Sequence, residues 1–313
     1  PSPVSRLHMV IPSSGTRLRS TALASALVLA SACGGDDSPV TPGTPTPAPV
    51  TPTVMTVSGR GSLTNRYSAE VWAHGDYAYT STWGSRGNPG VTGNAIFIWD
   101  VKGATPTLVD SVIVPPVQEG VLVRTTGDVQ VSDDGKLLVF PTELAPGSLE
   151  IYDLTNPTKP RALSRFTSSN IQRGVHTAEL HRIGGTLYAF LSVNGASSHP
   201  SRLVIVDLSD PAQPRELLVR NMGNPFIHDV YVRDGLLFTA LWNDGVVIWD
   251  IGGGGKGGSL QNPIEVGRLL TQNGEVHNIW WFHDPSSNAK RYAFIGQEGA
   301  ATLFSSSSGD IHV

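Results

Sequence analysis

Leu203-Val-Ile-Val-Asp207, followed by Leu208-Ser-Asp-Pro-Ala-Gln-Pro214, is a phrase the chain uses more than once. Its near twin is Leu149-Glu-Ile-Tyr-Asp153, followed by Leu154-Thr-Asn-Pro-Thr-Lys-Pro160. Looser copies stand at Ile96-Phe-Ile-Trp-Asp100 and Val246-Val-Ile-Trp-Asp250. Self-similarity at a period of about 40–50 residues marks a stacked array or a propeller and outranks any local reading.

Outward from this signature, more of the unit repeats. Glu70–Tyr79 slides onto Asp229–Phe238 without a gap, and Glu179–Tyr188 joins them. Asp128–Val131 with Leu137–Phe140, and Asn278–Trp281 with Arg291–Phe294, fit after insertions. Each unit reads as a short strand, a tight turn with Gly or Asp, a second apolar strand, a variable loop and the signature strand. An Asp-Pro or Asn-Pro turn then leads to a fourth strand, such as Arg215–Val219 or Arg161–Phe166. Period-two alternation and Gly/Pro/Asn/Asp punctuation support strands throughout, with no sustained helical period. Four strands per unit, repeated about an axis, make a blade, and the fold class is an all-β propeller of four-stranded blades.

A strand ending in an acid and then an Asp-Pro-x-x-Pro turn resembles the LVIVD-repeat family of bacterial propellers, from about Tyr67 onward. The match is strong at 149–160 and 203–214. It is weaker at 96–106, where Lys102-Gly-Ala104 replaces the turn, and at 250–263, where glycines intervene. The resemblance implies a propeller at the cell envelope and no particular reaction. Gly309-Asp-Ile-His-Val313 reads as the start of a fifth signature strand, so the propeller, 54–313, holds about four and a half blades. A propeller must close, because an open ring leaves strand edges unpaired, so the expectation is an incomplete, C-terminally truncated ring whose native form has six to eight blades. Val54–Val57 is a candidate strand for completing one blade.

Composition suits an extracytoplasmic β protein: 34 Gly, 23 Pro and a net charge of −4 give no reason to expect a nucleic-acid partner. Residues 1–33 read as a signal peptide. Arg17 and Arg19 precede an apolar run, Leu23–Ala32, too short to span a bilayer, and Met9 is the plausible start. Ala30-Ser-Ala-Cys33 resembles a lipobox, whose cysteine is lipidated, and Gly34 after it suits sorting to the outer membrane. Cys33 is the sole cysteine, which rules out an internal disulfide. Residues 34–53, rich in Pro and Thr, form a tether.

The first strand of each blade lines a propeller's channel, so its opening residues converge on the axis. That column reads Glu70, Asp128, Glu179, Asp229 and Asn278, a tentative axial binding set. His176, His228 and His277 precede it and are candidate ligands for a transition metal, since imidazole suits Fe, Cu and Zn. Carotenoid oxygenases are similar in holding a metal on a propeller axis. Against this, His176 stands three residues before its aligned acid and the other two stand one before, an irregular ring. An acid at a strand start also often serves only adjoining backbone N–H groups.

His74, His181, His199 and His283 read as surface residues. Trp83 with Trp242, Trp99 with Trp249 and Trp72 with Tyr231 form columns read as packing between blades. Gly252–Ser259 has a phosphate-loop flavour, but Gly257 follows Lys256 where Ser or Thr is needed, so it reads as a flexible insertion. The reading is a lipid-anchored binding or scaffold module for a protein, glycan or small molecule. A metal-dependent oxidoreductase or hydrolase is the alternative, and no catalytic residue is assigned.

Overall fold

The computed structural model describes residues 56–84, 92–196, 199–223, 226–271, 274–284, 286–300 and 309–313. Cys33 and the segments expected to be a signal peptide (1–33) and a tether (34–53) lie outside them. The first blade contains β1 (Tyr67–His74), β2 (Tyr77–Trp83), β3 (Ala95–Asp100) and β4 (Thr107–Ile113). The second contains β5 (Gln130–Val131), β6 (Leu137–Thr142), β7 (Ser148–Asp153) and β8 (Arg161–Phe166). The third contains β9 (Val175–Ile183), β10 (Thr186–Val193), β11 (Ser201–Asp207) and β12 (Arg215–Gly223). The fourth contains β13 (Asp229–Arg233), β14 (Leu236–Ala240), β15 (Val246–Asp250) and β16 (Ile264–Leu269). The fifth has β17 (Gly274–Phe282), β18 (Tyr292–Ala300) and β19 (Ile311–His312). Every sheet is an antiparallel meander in chain order, and the inner strands β1, β5, β9, β13 and β17 lie side by side in sequence. The chain is an all-β propeller with five blades among the described residues. Gly309–Val313 supplies β19, which pairs with β18. Thr56 and Val57 of the candidate closing strand lie outside any strand, and Val54 and Met55 lie outside the described residues.

The signature strand is apolar at consecutive positions because both of its faces are buried. Leu203 and Ile205 of β11 enter the core shared with the fourth blade, beside Val247 and Trp249. Val204 and Val206 enter the core shared with the second, beside Leu149 and Ile151. Each such side chain contributes about 1.5–3 kcal/mol when fully buried, so the repeat is first a packing code. At the fifth blade this sandwiching is incomplete: Trp280 and Phe294 are exposed.

The aspartate that closes the signature has its own task. Asp100, Asp153, Asp207 and Asp250 each accept a hydrogen bond from the backbone N–H two residues on, at 2.7–3.0 Å. The side chain thereby initiates the turn into the fourth strand. A register shift just before each aspartate, between Ile98/Trp99, Ile151/Tyr152, Ile205/Val206 and Ile248/Trp249, repeats in all four blades.

The glycine run is ordered and not a flexible insertion. It wraps around Asp250, whose carboxylate accepts from the N–H groups of Gly252, Gly254, Lys256 and Gly258 at 2.7–3.2 Å. A side chain at Gly254 or Gly258 would strike Asp250 itself. The phosphate-loop flavour of this stretch is real as geometry, but the anion it cradles is the chain's own.

Candidate functional site

The five predicted axial residues, Glu70, Asp128, Glu179, Asp229 and Asn278, all line one cavity of about 1,100 Å³ that touches every blade. Local backbone needs account for part of this. Asp128 accepts from the N–H groups of Val129 (2.8 Å) and Ala178 (3.3 Å), and Asp229 accepts from Val230 (2.7 Å). Gln130 carries the same cross-blade tie one step further along: its amide oxygen accepts from Leu180 N–H at 2.7 Å, and its amide N–H donates to Glu179 at 2.6 Å.

These bonds do not offset the loss of water. Burial pushes the Asp128 carboxyl up to about 7, helped by the nearby Glu70. Burial lifts Glu179 to about 8 against the opposing bond from Gln130. Asp229 is raised well above its ordinary value by burial and by the charges of Asp128 and Glu179. Glu70 is raised by burial, against the Val71 N–H and His176. Four acids crowded into low dielectric cannot all ionise at neutral pH, and they share protons as a set.

The histidines meet at one end of the cavity. His176 Nε2 lies 2.9 Å from His228 Nε2, and the His228 and His277 rings are 3.9 Å apart between centroids. His228 is held just before β13 by its N–H bond to the Ala240 carbonyl, and its ring stacks on Trp242. Burial, then the imidazoles of His176 and His277, depress its pKa to about 2. Burial lowers His277 as well. Glu143 Oε1 stands 3.0 Å from His176 Nδ1. Glu298 Oε2 stands 3.8 Å from Nε2 of both His228 and His277. Ligand atoms of His228, His277 and Glu298 all lie within 4.8 Å of one another.

The ring of histidines is regular after all. Across the sheet, Asp229 faces Ala240 and then Val246, while Thr177 faces Ser192 and then Leu203. Val246 and Leu203 each stand four residues before their own signature aspartate. Thr177 therefore occupies the Asp229 position, and His176 the His228 position. Glu179 lies two residues deeper, level with Gln130 and Tyr231. The ungapped alignment misplaced it because the β9–β10 hairpin is longer by two residues in each of its strands, a change toward the turn that leaves the strand pattern intact.

One more column faces the cavity. In the last part of the second strand or just past it stand Trp83, Glu143, Asn194, Trp242 and Glu298 in the five blades, and all five line it. Trp83 and Trp242 are thus cavity walls as well as packing, whereas Trp99 and Trp249 are interior and donate to Thr80 and Thr239 at 2.9 and 3.0 Å. Neither Glu143 nor Glu298 was singled out by sequence reasoning. Extending the Trp83–Trp242 match to every blade would have found both. Of the histidines read as surface, His181 lines the cavity and His283 is enclosed edge-on against Trp281 at 4.5 Å. His199 is exposed, and its Nδ1 accepts from Arg173 at 3.1 Å.

Residues 199–219 match the LVIVD repeat. Among solved structures, the chain is similar to a functionally unknown protein from Desulfotomaculum acetoxidans DSM 771, with a TM-score of 0.52 and 12% identity. The superposition covers 79% of this chain and 68% of that one, a likeness of fold alone. No curated protein matches the chain in sequence.

Proposed function

Starting from a propeller that carries the LVIVD repeat, we propose that this protein is an envelope-anchored binding module whose small-molecule or glycan ligand enters the axial cavity. The observation that carries the reading is the cavity: about 1,100 Å³, contributed to by all five blades and walled by acids and aromatics together. A volume of this order suits a small organic ligand. Trp72, Trp83, Trp242 and Trp280 supply apolar faces, and the acids supply acceptors whose charge is incompletely developed at neutral pH. That combination favours a ligand with several hydroxyl or amine donors. Such a ligand stacks on the rings and stabilises the ionised carboxylates through hydrogen bonds or charge.

The anchor belongs to the same reading. The arginine-flanked apolar run, the Ala-Ser-Ala-Cys33 end and the Pro/Thr-rich tether support lipidation and placement at the outer membrane, with acyl burial worth about 0.8 kcal/mol per CH₂.

Thermal-shift and tryptophan-fluorescence titrations against a panel of amines and oligosaccharides test recognition. One class should raise the melting temperature and change the cavity tryptophan emission, and Asp128→Asn should weaken that response. A panel that moves neither signal would refute a ligand-binding cavity. For the anchor, Cys33→Ser should abolish labelling by a fatty-acid analogue and release the protein from membranes; unchanged retention would refute lipidation.

A further inference from the structure

Three imidazoles packed within 3.9–4.3 Å of their neighbours are a costly way to fill space. Their polar edges have left water, and such edges cost free energy unless something replaces the lost hydrogen bonds. The pair His176 Nε2 with His228 Nε2, at 2.9 Å, satisfies one nitrogen of each ring. The Nε2 atoms of His228 and His277 share a different target, Glu298 Oε2, each at 3.8 Å.

The geometry points to a metal centre in which His228 Nε2, His277 Nε2 and a Glu298 carboxylate oxygen bind one first-row divalent ion, zinc foremost, with His176 Nε2 as the fourth ligand. Metal–nitrogen bonds of about 2.0–2.1 Å and metal–oxygen bonds of about 2.0–2.2 Å place tetrahedral ligand atoms about 3.4 Å apart. The two 3.8 Å separations need only small side-chain rotations to reach that, and Glu298 is exposed enough to turn. His176 already sits beside His228, and Glu143 at its Nδ1 holds the ring proton there, leaving the Nε2 lone pair facing inward. A carboxylate behind a histidine ligand sets its tautomer and orientation. Three imidazoles and one carboxylate suit zinc, iron, copper or nickel, whereas calcium and magnesium demand oxygen donors.

The ligands come from three successive blades: His176 from the third, His228 from the fourth, and His277 and Glu298 from the fifth. A bound ion would therefore tie these blades together at the axis and stabilise the fold by mass action. The metal proposal does not presuppose an organic ligand in the cavity, so the two readings can be tested apart.

The full chain, produced without a polyhistidine tag and stripped with chelator, is titrated with Zn(II) by calorimetry and with Co(II) by visible absorption. One equivalent of Zn(II) should bind with a Kd below about 1 μM, and Co(II) should develop the strong visible bands of a low-coordinate nitrogen–oxygen site. His277→Ala and Glu298→Gln should each weaken Zn(II) binding by about 100-fold, and His176→Ala by about tenfold. Glu298→Gln guards against misfolding, since its side chain is 56% exposed. Its metal-free melting curve should match the parent's. Substoichiometric binding by the parent, or parent-like affinity in both His277→Ala and Glu298→Gln, would overturn the assignment.

Discussion

The aspartates that close the signature strands, Asp100, Asp153, Asp207 and Asp250, recur in the first four blades, and the acids Glu70, Asp128 and Asp229 stand on or just before the inner strands of the first, second and fourth. The two sets have the same chemistry and the opposite environments. The signature set meets N–H donors in its turns: two bonds from Thr155 and the Arg161 guanidinium hold Asp153 down at about 2. Asp207 is held low by Ser209 and Arg215 although partial burial opposes them. The axial set faces a cavity where burial outweighs its hydrogen bonds and raises every member. A repeated acid is structural where it meets its turn donors in contact with solvent. It is available for chemistry where burial outweighs the donors it has.

The contrast is sharpest at Asp250, where four backbone N–H groups converge on one carboxylate. Asp250→Ala leaves those donors without their acceptor and removes the reason for the glycine loop to fold. The melting temperature should fall by about 5 °C or more, with backbone amides 252–258 losing protection from hydrogen exchange. Asp250→Ala that melts like the parent would show that the loop folds for another reason.

The axial acids should behave in the opposite sense. Glu179 titrates near pH 8 when folded and near 4.5 when unfolded, and Asp128 near 7 against 3.8. Between roughly pH 4 and pH 8 the folded chain retains protons that the unfolded chain releases, so unfolding is favoured as pH rises. Their stabilising contribution is complete at about pH 4 and lost by about pH 8. Glu179→Gln mimics the neutral acid and should stabilise the metal-free protein at pH 8 and negligibly at pH 4. Melting curves at the two pH values check this. A destabilisation at pH 8 would mean that the carboxylate is paired with a cation there.

How far this was legible in the sequence depended on which contacts write a pattern. The blades were legible because Leu203 to Val206 is buried on alternate faces against two different cores, and burial leaves an apolar record at every position. The axial column was legible because Asp229 and Asp128 open strands next to recognisable turns. Register was not: the β9–β10 hairpin is longer by two residues in each strand without disturbing its alternation, so Glu179 was aligned where Thr177 stands. Glu298 and Glu143 were missed for a different reason: they belong to the column of Trp83 and Trp242, which was read only as packing between blades, and the closure of the blades is what brings them to the histidines.

The smallest expected effect separates the two duties of a signature aspartate. Asp207 accepts from Ser209 N–H at 2.7 Å and also faces Arg215 Nη2 at 3.4 Å. The arginine is 73% exposed, and exposed ion pairs contribute about 0–1 kcal/mol at most, screened by salt. The bond to Ser209 is local, short and part of the turn, so salt should leave it alone. Arg215→Ala should cost less than about 0.5 kcal/mol, and that cost should vanish in molar salt. Asp207→Ala should cost about 1 kcal/mol with little salt dependence, the worth of one hydrogen bond. Denaturant melts of both variants at low and high salt measure the difference. If Arg215→Ala cost as much as Asp207→Ala, and the cost fell with salt, the aspartate would owe its place in the repeat to the ion pair and not to the turn.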